Sequence, residues 1–304
     1  MQRKPPKSKV YKNHHLDSDI WNLYNPKDGD IVLSSSLKSG TTWMQYIILN
    51  LIFNEDKRDI VTYEVSPWLE ERCADPEAVI DKLGIQSHRR LIKTHLPLDG
   101  LPYYENVKYV IVARDARDVF MSLWNHYKNL TPDVYQDLNH TIPGRVGEKL
   151  PPCPESINMF WEMWINKGWF DWESEGYPFW ANMRHTQSWW DYRELNNISL
   201  FHYNDLTCKT EYQIKRLANY LDISISEEDV KRIKNETSFE NMKRKSNTFL
   251  EKDGRSFQGG SKTFFHKGNN GRWREVLSEC ELDSYKRKAS EVLSDACREW
   301  LERG

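Results

Sequence analysis

The sequence predicts an α/β fold: a single domain with a central, mostly parallel sheet flanked by helices, carrying a P-loop-like strand–loop–helix motif for phosphate. Three observations predict it. The apolar run Ile31-Val32-Leu33-Ser34 leads through a short polar loop into an apolar periodic stretch from about Thr41 to Phe53, which reads as strand, loop and helix. The unit recurs where the β-branched run Tyr109-Val110-Ile111-Val112-Ala113 passes through Arg114-Asp115 into a helical pattern ending near Tyr127. Shorter apolar runs, Leu91-Ile92-Lys93 and Ile198 to Tyr203, supply further strands, the second followed by a helix with apolar Ile214, Leu217, Ala218 and Leu221. Repeated βα units need crossovers, which make neighbouring strands parallel and cover the sheet with helices.

At 304 residues the chain fits around one sheet, and no change of composition marks a linker. Residues 1–20 are expected as an N-terminal arm. The segments Pro132 to Pro154 and Lys252 to Gly271 are polar and rich in Pro and Gly; they are expected as loops, the 252–271 segment covering a ligand. Leu282 to Leu301 has the pattern of one amphipathic, charge-laced final helix.

Lys and Arg number 43 against 45 Asp and Glu, a formal net charge of −2, so there is no basic field to drive binding to nucleic-acid phosphates. Five scattered cysteines without a Cys-x-x-Cys pair suggest neither a disulfide framework nor a zinc site, and fit a reduced cytoplasmic location. The basic N-terminus has no apolar stretch behind it and no window approaches a membrane span, so neither a secretory signal nor an anchor is expected. His14-His15 lacks a Cys or carboxylate partner, and adjacent side chains diverge, so packing is favoured over metal binding. Seven of 13 tryptophans fall within residues 161–190, as expected of helices packing in a core.

The chemistry concentrates between the first strand and its helix. In Ser34-Ser35-Ser36-Leu37-Lys38-Ser39-Gly40-Thr41-Thr42-Trp43, backbone N–H groups converge at a helix N-terminus, Lys38 adds a charge, Gly40 lets the backbone approach a ligand, and Ser39, Thr41 and Thr42 offer hydroxyls. The lysine precedes the glycine, so this is not a Walker A loop, and no Rossmann fingerprint is present.

Lys38-Ser39-Gly40-Thr41-Thr42-Trp43 resembles the 5′-phosphosulfate loop of the cytosolic sulfotransferases, which use 3′-phosphoadenosine 5′-phosphosulfate (PAPS). The likeness continues in order to about residue 275. Lys93-Thr94-His95-Leu96-Pro97 is similar to the family's catalytic segment, and Arg114 with Ser122 to its 3′-phosphate site. Tyr203 is similar to the tyrosine at the adenine end, and Thr237, Phe239 and Met242 to the purine-side segment. Lys267-Gly268-Asn269-Asn270-Gly271-Arg272-Trp273 resembles the late glycine loop that closes over the nucleotide, and the resemblance implies that Phe264, Phe265, His266, Lys267 and Gly268 bind it. Two departures stand out. His266 replaces the family's usual arginine, which leaves Lys267 and the backbone for the 3′-phosphate, and Arg274 to Glu281 matches the family's dimerisation signature poorly, so no oligomeric state is predicted.

The resemblance implies transfer of a sulfuryl group from PAPS to a hydroxyl or amine of a small-molecule acceptor, with His95 as base, Lys38 stabilising the leaving phosphate oxygen, Lys93 supporting the transferred group, and no metal. Arg114 could instead be a surface arginine paired with Asp115 or Asp118; with Ser122 eight residues on, about two helical turns, it suits a phosphate dianion better. Trp68, beside Pro67, and then His126 are the expected walls of the acceptor pocket. A P-loop nucleotide kinase and a non-catalytic nucleotide-binding module stand as alternatives, the first needing a metal-holding Asp and Gly-Lys-Ser/Thr, the second contradicted by the intact Lys38, Lys93, His95 set.

Overall fold

A computed structural model of the chain describes residues 4–54, 60–141, 148–249 and 255–304. At its centre four strands, β1 (Ile31–Ser35), β2 (Leu91–Thr94), β3 (Lys108–Ala113) and β4 (Ile198–His202), form a sheet in the order β2-β1-β3-β4. All pairs are parallel: Leu33 faces Lys93 on one side and Val110 on the other, and Val112 faces Phe201. β1 is buried along its whole length, and a strand with no solvated face has no cause to alternate, hence its unbroken apolar run.

Successive side chains leave a strand on opposite faces, and here the two faces feed two cores. Val32, Ile92, Tyr109 and Ile111 enter one, packed with Phe120, Trp161, Trp164 and Trp189 from helices Ala116–Lys128, Ile157–Asn166 and Asn182–Trp190. Ile31, Leu33, Val110 and Val112 enter the other, with Met44, Ile47 and Ile48 of helix Thr41–Ile52 and Ile214 and Leu217 of helix Thr210–Tyr220. The chain leaves β1 toward β2 on one side, then returns to lay β3 on the other. That reversal opens a crevice beyond the carboxyl ends of β1 and β3, where doubly wound sheets bind ligands.

Several boundaries differ from those the sequence suggested. Tyr203 opens helix Tyr203–Cys208 instead of closing β4, because the His202 ring accepts from the Asn204 N–H at 3.2 Å and caps the helix one residue earlier. The final helix is two helices, Glu279–Val292 and Asp295–Arg303; the first starts at a capping box between Ser278 and Glu281, and extended Leu293 and Ser294 break the run. The 132–154 segment contains helix Pro132–Gln136 and the π-helical turn Asp137–Thr141, and the 252–271 segment contains helix Ser261–Phe264. Residues 252–254 of that segment and residues 1–3 of the arm lie outside the described residues. The arm itself is tied down: the Ser8 and Lys9 N–H groups donate to the Asp99 carbonyl at 2.8 and 3.0 Å, and Tyr11 is buried. Among the described residues no helix is long and apolar enough to cross a membrane.

Candidate active site

The crevice between the ends of β1 and β3 holds a cavity of about 380 Å³. Its floor is the turn from β1 into helix Thr41–Ile52. Lys38 (φ 70°) and Gly40 (φ 106°) both take left-handed backbone there. A Cβ on Gly40 would lie 2.7 Å from Tyr203 Cδ2, so the position accepts only glycine. Gly40 is also the helix N-cap and offers no side-chain cap, which leaves first-turn N–H groups free to meet an anion. Lys38, Gly40, Thr41, Thr42 and Trp43 all line the cavity. Ser39 does not: it is buried, and its hydroxyl is hydrogen-bonded with Ser36 Oγ at 2.7 Å. It stiffens the loop instead.

Cations gather around this turn. Burial, then the nearby Arg114 and Lys93 charges, bring the Lys38 ammonium down to about 7, and its Nζ sits 3.9 Å from the Phe264 ring centroid. Arg114, at the end of β3, is buried and stacks 4.2 Å over Tyr203; Nε donates to Asn270 Oδ1 at 3.0 Å and a terminal nitrogen to the Asn269 carbonyl at 3.1 Å. Arg117, not Arg114, takes the bidentate pair with Asp115, at 2.9 and 2.6 Å. Arg114 therefore keeps its fork at the cavity wall beside Ser122. Arg272, part of the late loop read from the sequence, lines the same wall; it puts an arginine near Arg114 where His266 had seemed to leave only Lys267 and backbone for the 3′-phosphate.

The far side of the cavity is built by the segments named from the sequence. Thr237, Phe239, Met242, Phe264, Phe265, His266, Lys267 and Gly268 line it with Tyr203, whose hydroxyl donates to the Gly268 carbonyl at 3.3 Å. A Cβ on Gly268 would lie 2.5 Å from the Phe239 ring, which explains that glycine. Asp118 also lines the cavity, and its Oδ1 accepts from the Gly271 N–H at 2.7 Å.

Lys93 and His95 reach the cavity from the end of β2. His95 Nδ1 lies 2.7 Å from the Ser35 carbonyl, which can only accept, so Nδ1 carries the proton and Nε2 presents a lone pair. Burial, followed by the Lys93 charge, holds the imidazole well below the ordinary histidine range, so it is neutral near pH 7. Beneath it lies Glu70, which sequence reasoning missed. Glu70 Oε1 accepts from the His95 N–H at 2.8 Å, Thr94 Oγ1 at 2.9 Å and Trp68 Nε1 at 2.6 Å, while Oε2 accepts from Trp21 Nε1 at 2.9 Å. One fully buried carboxylate thus fixes the backbone of His95 and the indole beside it. Its only sequence signal was a glutamate following Pro67-Trp68-Leu69. Glu70→Gln turns an amide N–H₂ toward these donors, and should cost about 1–3 kcal/mol of stability in denaturant titration. As a positioning change it should lower kcat more than it raises KM.

Trp68 and His126 line no part of this cavity. Trp68 does meet His95 edge-on, with ring centroids 4.9 Å apart, and Lys93 Nζ lies 4.6 Å over its ring. His126 packs against Phe257 and Phe179, at 5.0 and 6.0 Å, and Trp180 lies 5.9 Å from His95. Trp68 and Trp180 thus flank the His95 ring from outside the lining of this cavity. His14 and His15 do not diverge: their Nδ1 atoms touch each other, and His14 Nε2 meets the Pro178 carbonyl at 3.0 Å.

This chain matches the family model described as "Sulfotransferase domain" over residues 28–302. It is 27% identical to a glycolipid sulfotransferase of Mycobacterium bovis, over 97% of this chain and 94% of that protein, and 30% identical to mouse sulfotransferase 1B1, over 88% and 85%. The fold is similar to that of mouse sulfotransferase SULT7A1 complexed with PAP, with TM-score 0.70 and 20% identity over 97% of this chain and 99% of that one. With the loop geometry, the parallel sheet and a family match spanning nearly its whole length, the chain belongs to the sulfotransferase-domain family.

Proposed function

We propose that the chain transfers a sulfuryl group from PAPS to a hydroxyl or amine of a small-molecule acceptor, releasing adenosine 3′,5′-bisphosphate. One observation carries this reading: three cations, Lys38, Lys93 and Arg114, converge on a cavity at whose edge stands a histidine of fixed neutral tautomer. The depressed Lys38 marks a turn short of negative charge, which a phosphosulfate would relieve. The Gly40 cradle and the free N–H groups of the following helix suit the 5′ end. Arg114, Ser122, Lys267 and Arg272 suit a 3′-phosphate, and Trp43, Tyr203 and Phe239 offer ring faces to a purine.

In this reading His95 Nε2 takes the acceptor's proton as the new O–S or N–S bond forms. Lys38 steadies the charge that builds on the leaving phosphate oxygen, and Lys93, held over Trp68, steadies the transferred group. The walls expected at the acceptor end are Trp68, joined by Trp180, and more remotely His126. Asp118 is the one acidic residue among the described cavity walls, and the turn lacks the Gly-Lys-Ser/Thr order; a magnesium-dependent P-loop kinase needs that order, so it is the weaker reading. Cys73, Cys153, Cys208, Cys280 and Cys297 form no disulfide, which supports a cytoplasmic location.

The test is incubation with PAPS and a panel of phenols, alcohols and aryl amines in excess EDTA. Adenosine 3′,5′-bisphosphate and sulfated product should appear in equal amounts, and only when acceptor is present. Product formation that collapses in EDTA and returns with magnesium would contradict the proposal.

A further inference from the structure

A second cavity, of about 540 Å³, lies apart from the first and shares no lining residue with it. It follows one face of helix Asn182–Trp190, where Arg184, Gln187, Ser188 and Asp191 recur at the three- and four-residue spacing of a helical stripe. From Arg184 to Asp191 that stripe rises by about 10 Å, so the cavity is a groove. Pro5, Pro6 and Ser8 of the N-terminal arm close one side of it. Asp171, Asp191 and Glu291 of its lining are exposed, which leaves the groove open to solvent.

The walls are acidic. Asp99, Asp171, Glu173, Glu175, Asp191 and Glu291 line the groove against one cation, Arg184. Part of that charge is met within the chain: Arg184 pairs with Asp99 at 2.5 Å, Lys288 with Glu291 at 2.9 Å, and Glu175 accepts from the first N–H groups of helix Asn182–Trp190. The rest is not. Among the described residues neither Asp171 nor Asp191 stands in an ion pair, although Asp191 accepts from the Gln187 amide at 2.6 Å. Glu173 is only 8% exposed, and its Oε1 is buried with no hydrogen-bond partner, while Oε2 accepts long bonds from the Trp169 and Phe170 N–H groups at 3.3 and 3.5 Å. Burial, then the neighbouring Glu175, pushes the Glu173 carboxyl up to about 8, the mark of a carboxylate short of a cation. A buried polar atom left unfilled is costly.

We propose that this groove binds a linear polyamine, an organic cation whose ammonium groups are spaced along a methylene chain. Glu173 stands beside Glu175, which caps the start of helix Asn182–Trp190, whereas Asp191 follows its last residue. Two anionic ends need two separated positive charges, and the negative end of the helix dipole adds to the second. The chain that links those charges has apolar wall to lie on. Leu98 is held at the middle of the stripe by its N–H, which donates to Ser188 Oγ at 3.0 Å, and the Trp172 and Tyr192 rings line the groove with it. Trp172 already takes an ammonium on its face, with Lys9 Nζ 4.7 Å from the ring centroid. A compact metal ion suits the groove poorly, because among the described residues no three carboxylate, histidine or cysteine groups come together to hold one. A single ammonium would fill one end only.

The experiment is calorimetric titration of the nucleotide-free protein at low ionic strength with spermidine, n-butylamine and magnesium chloride. Spermidine should bind saturably at one site, at least about tenfold tighter than either of the others. Asp171→Asn and Asp191→Asn change exposed side chains and leave the core alone, and the two together should weaken spermidine by about tenfold or more. Glu173→Gln should weaken it by about fivefold or more, with thermal unfolding to check that this buried change leaves the protein folded. Four results would overturn the proposal: no saturable binding, magnesium binding as tightly as spermidine, spermidine affinity unmoved in the double variant, or displacement of spermidine by a lower concentration of trilysine, which would assign the groove to a basic peptide.

Discussion

Replacing His95 by alanine should lower turnover by about three orders of magnitude while the affinity for adenosine 3′,5′-bisphosphate stays near that of the wild type. A positioned general base contributes about 10²–10⁴-fold, and a loss in the middle of that span is expected here because the base is already organised. The Ser35 carbonyl fixes its tautomer, Glu70 holds its backbone, and burial keeps it neutral. Nothing in that arrangement touches the part of the cavity suited to an adenosine. A variant that kept a tenth of wild-type turnover would remove His95 from the role of base. The same arrangement fixes the sign of the pH dependence. A base works unprotonated, and this one is held well below the ordinary histidine value near 6.5. Activity should therefore persist as pH falls through 6.5 and fail only as the lower folded value is crossed. An acidic limb centred on the ordinary value would contradict the burial argument.

Arg114→Ala should remove most of the preference for a 3′-phosphorylated nucleotide. The wild-type guanidinium is buried, anchored by Asn269 and Asn270 and stacked on Tyr203, so it is held in place before any ligand arrives. A charge-assisted hydrogen bond of this kind is worth about 1.5–3 kcal/mol, so losing the fork should weaken the bisphosphate by about 10- to 100-fold and the 5′-monophosphate little. Lys38→Ala should weaken both nucleotides alike, because it serves the end they share. Lys38 also predicts a proton linkage. Its value of about 7 in the free protein rises when an anion arrives, so binding takes up a proton above pH 7 and affinity falls as pH climbs. Calorimetry in buffers of different ionisation enthalpy reads that uptake directly, and an absence of uptake at pH 8 would contradict it.

The parts of this site legible in the sequence are those that local chain geometry creates. A strand that leads through Lys38-Ser39-Gly40 into a helix must turn N–H groups outward, and a second βα unit whose strand is followed by Arg114 must bring that residue to the same edge of a parallel sheet. What the sequence hid was decided by contacts between distant segments. Glu70 and Trp180 meet His95 from 25 and 85 residues away in the chain, and neither carries a local mark of that duty. Ser39 looked like a phosphate ligand by residue type, yet the left-handed turn on either side rotates its hydroxyl onto Ser36. Arg272 was legible as part of the late loop but not as the arginine of the cavity wall, because charge there can come from any residue of the loop. The final helix read as continuous because its amphipathic pattern runs across Leu293 and Ser294, and only the backbone shows the break.

The central claim is that the cavity between β1 and β3 is built for a nucleotide carrying phosphate at both its 3′ and 5′ ends, with His95 at the acceptor side. Calorimetric titration of the wild-type protein with adenosine 3′,5′-bisphosphate and with adenosine 5′-monophosphate tests it most directly. The account predicts at least about tenfold tighter binding of the bisphosphate, since Arg114, Ser122, Lys267 and Arg272 would otherwise face no anion. Equal affinities for the two nucleotides would contradict it.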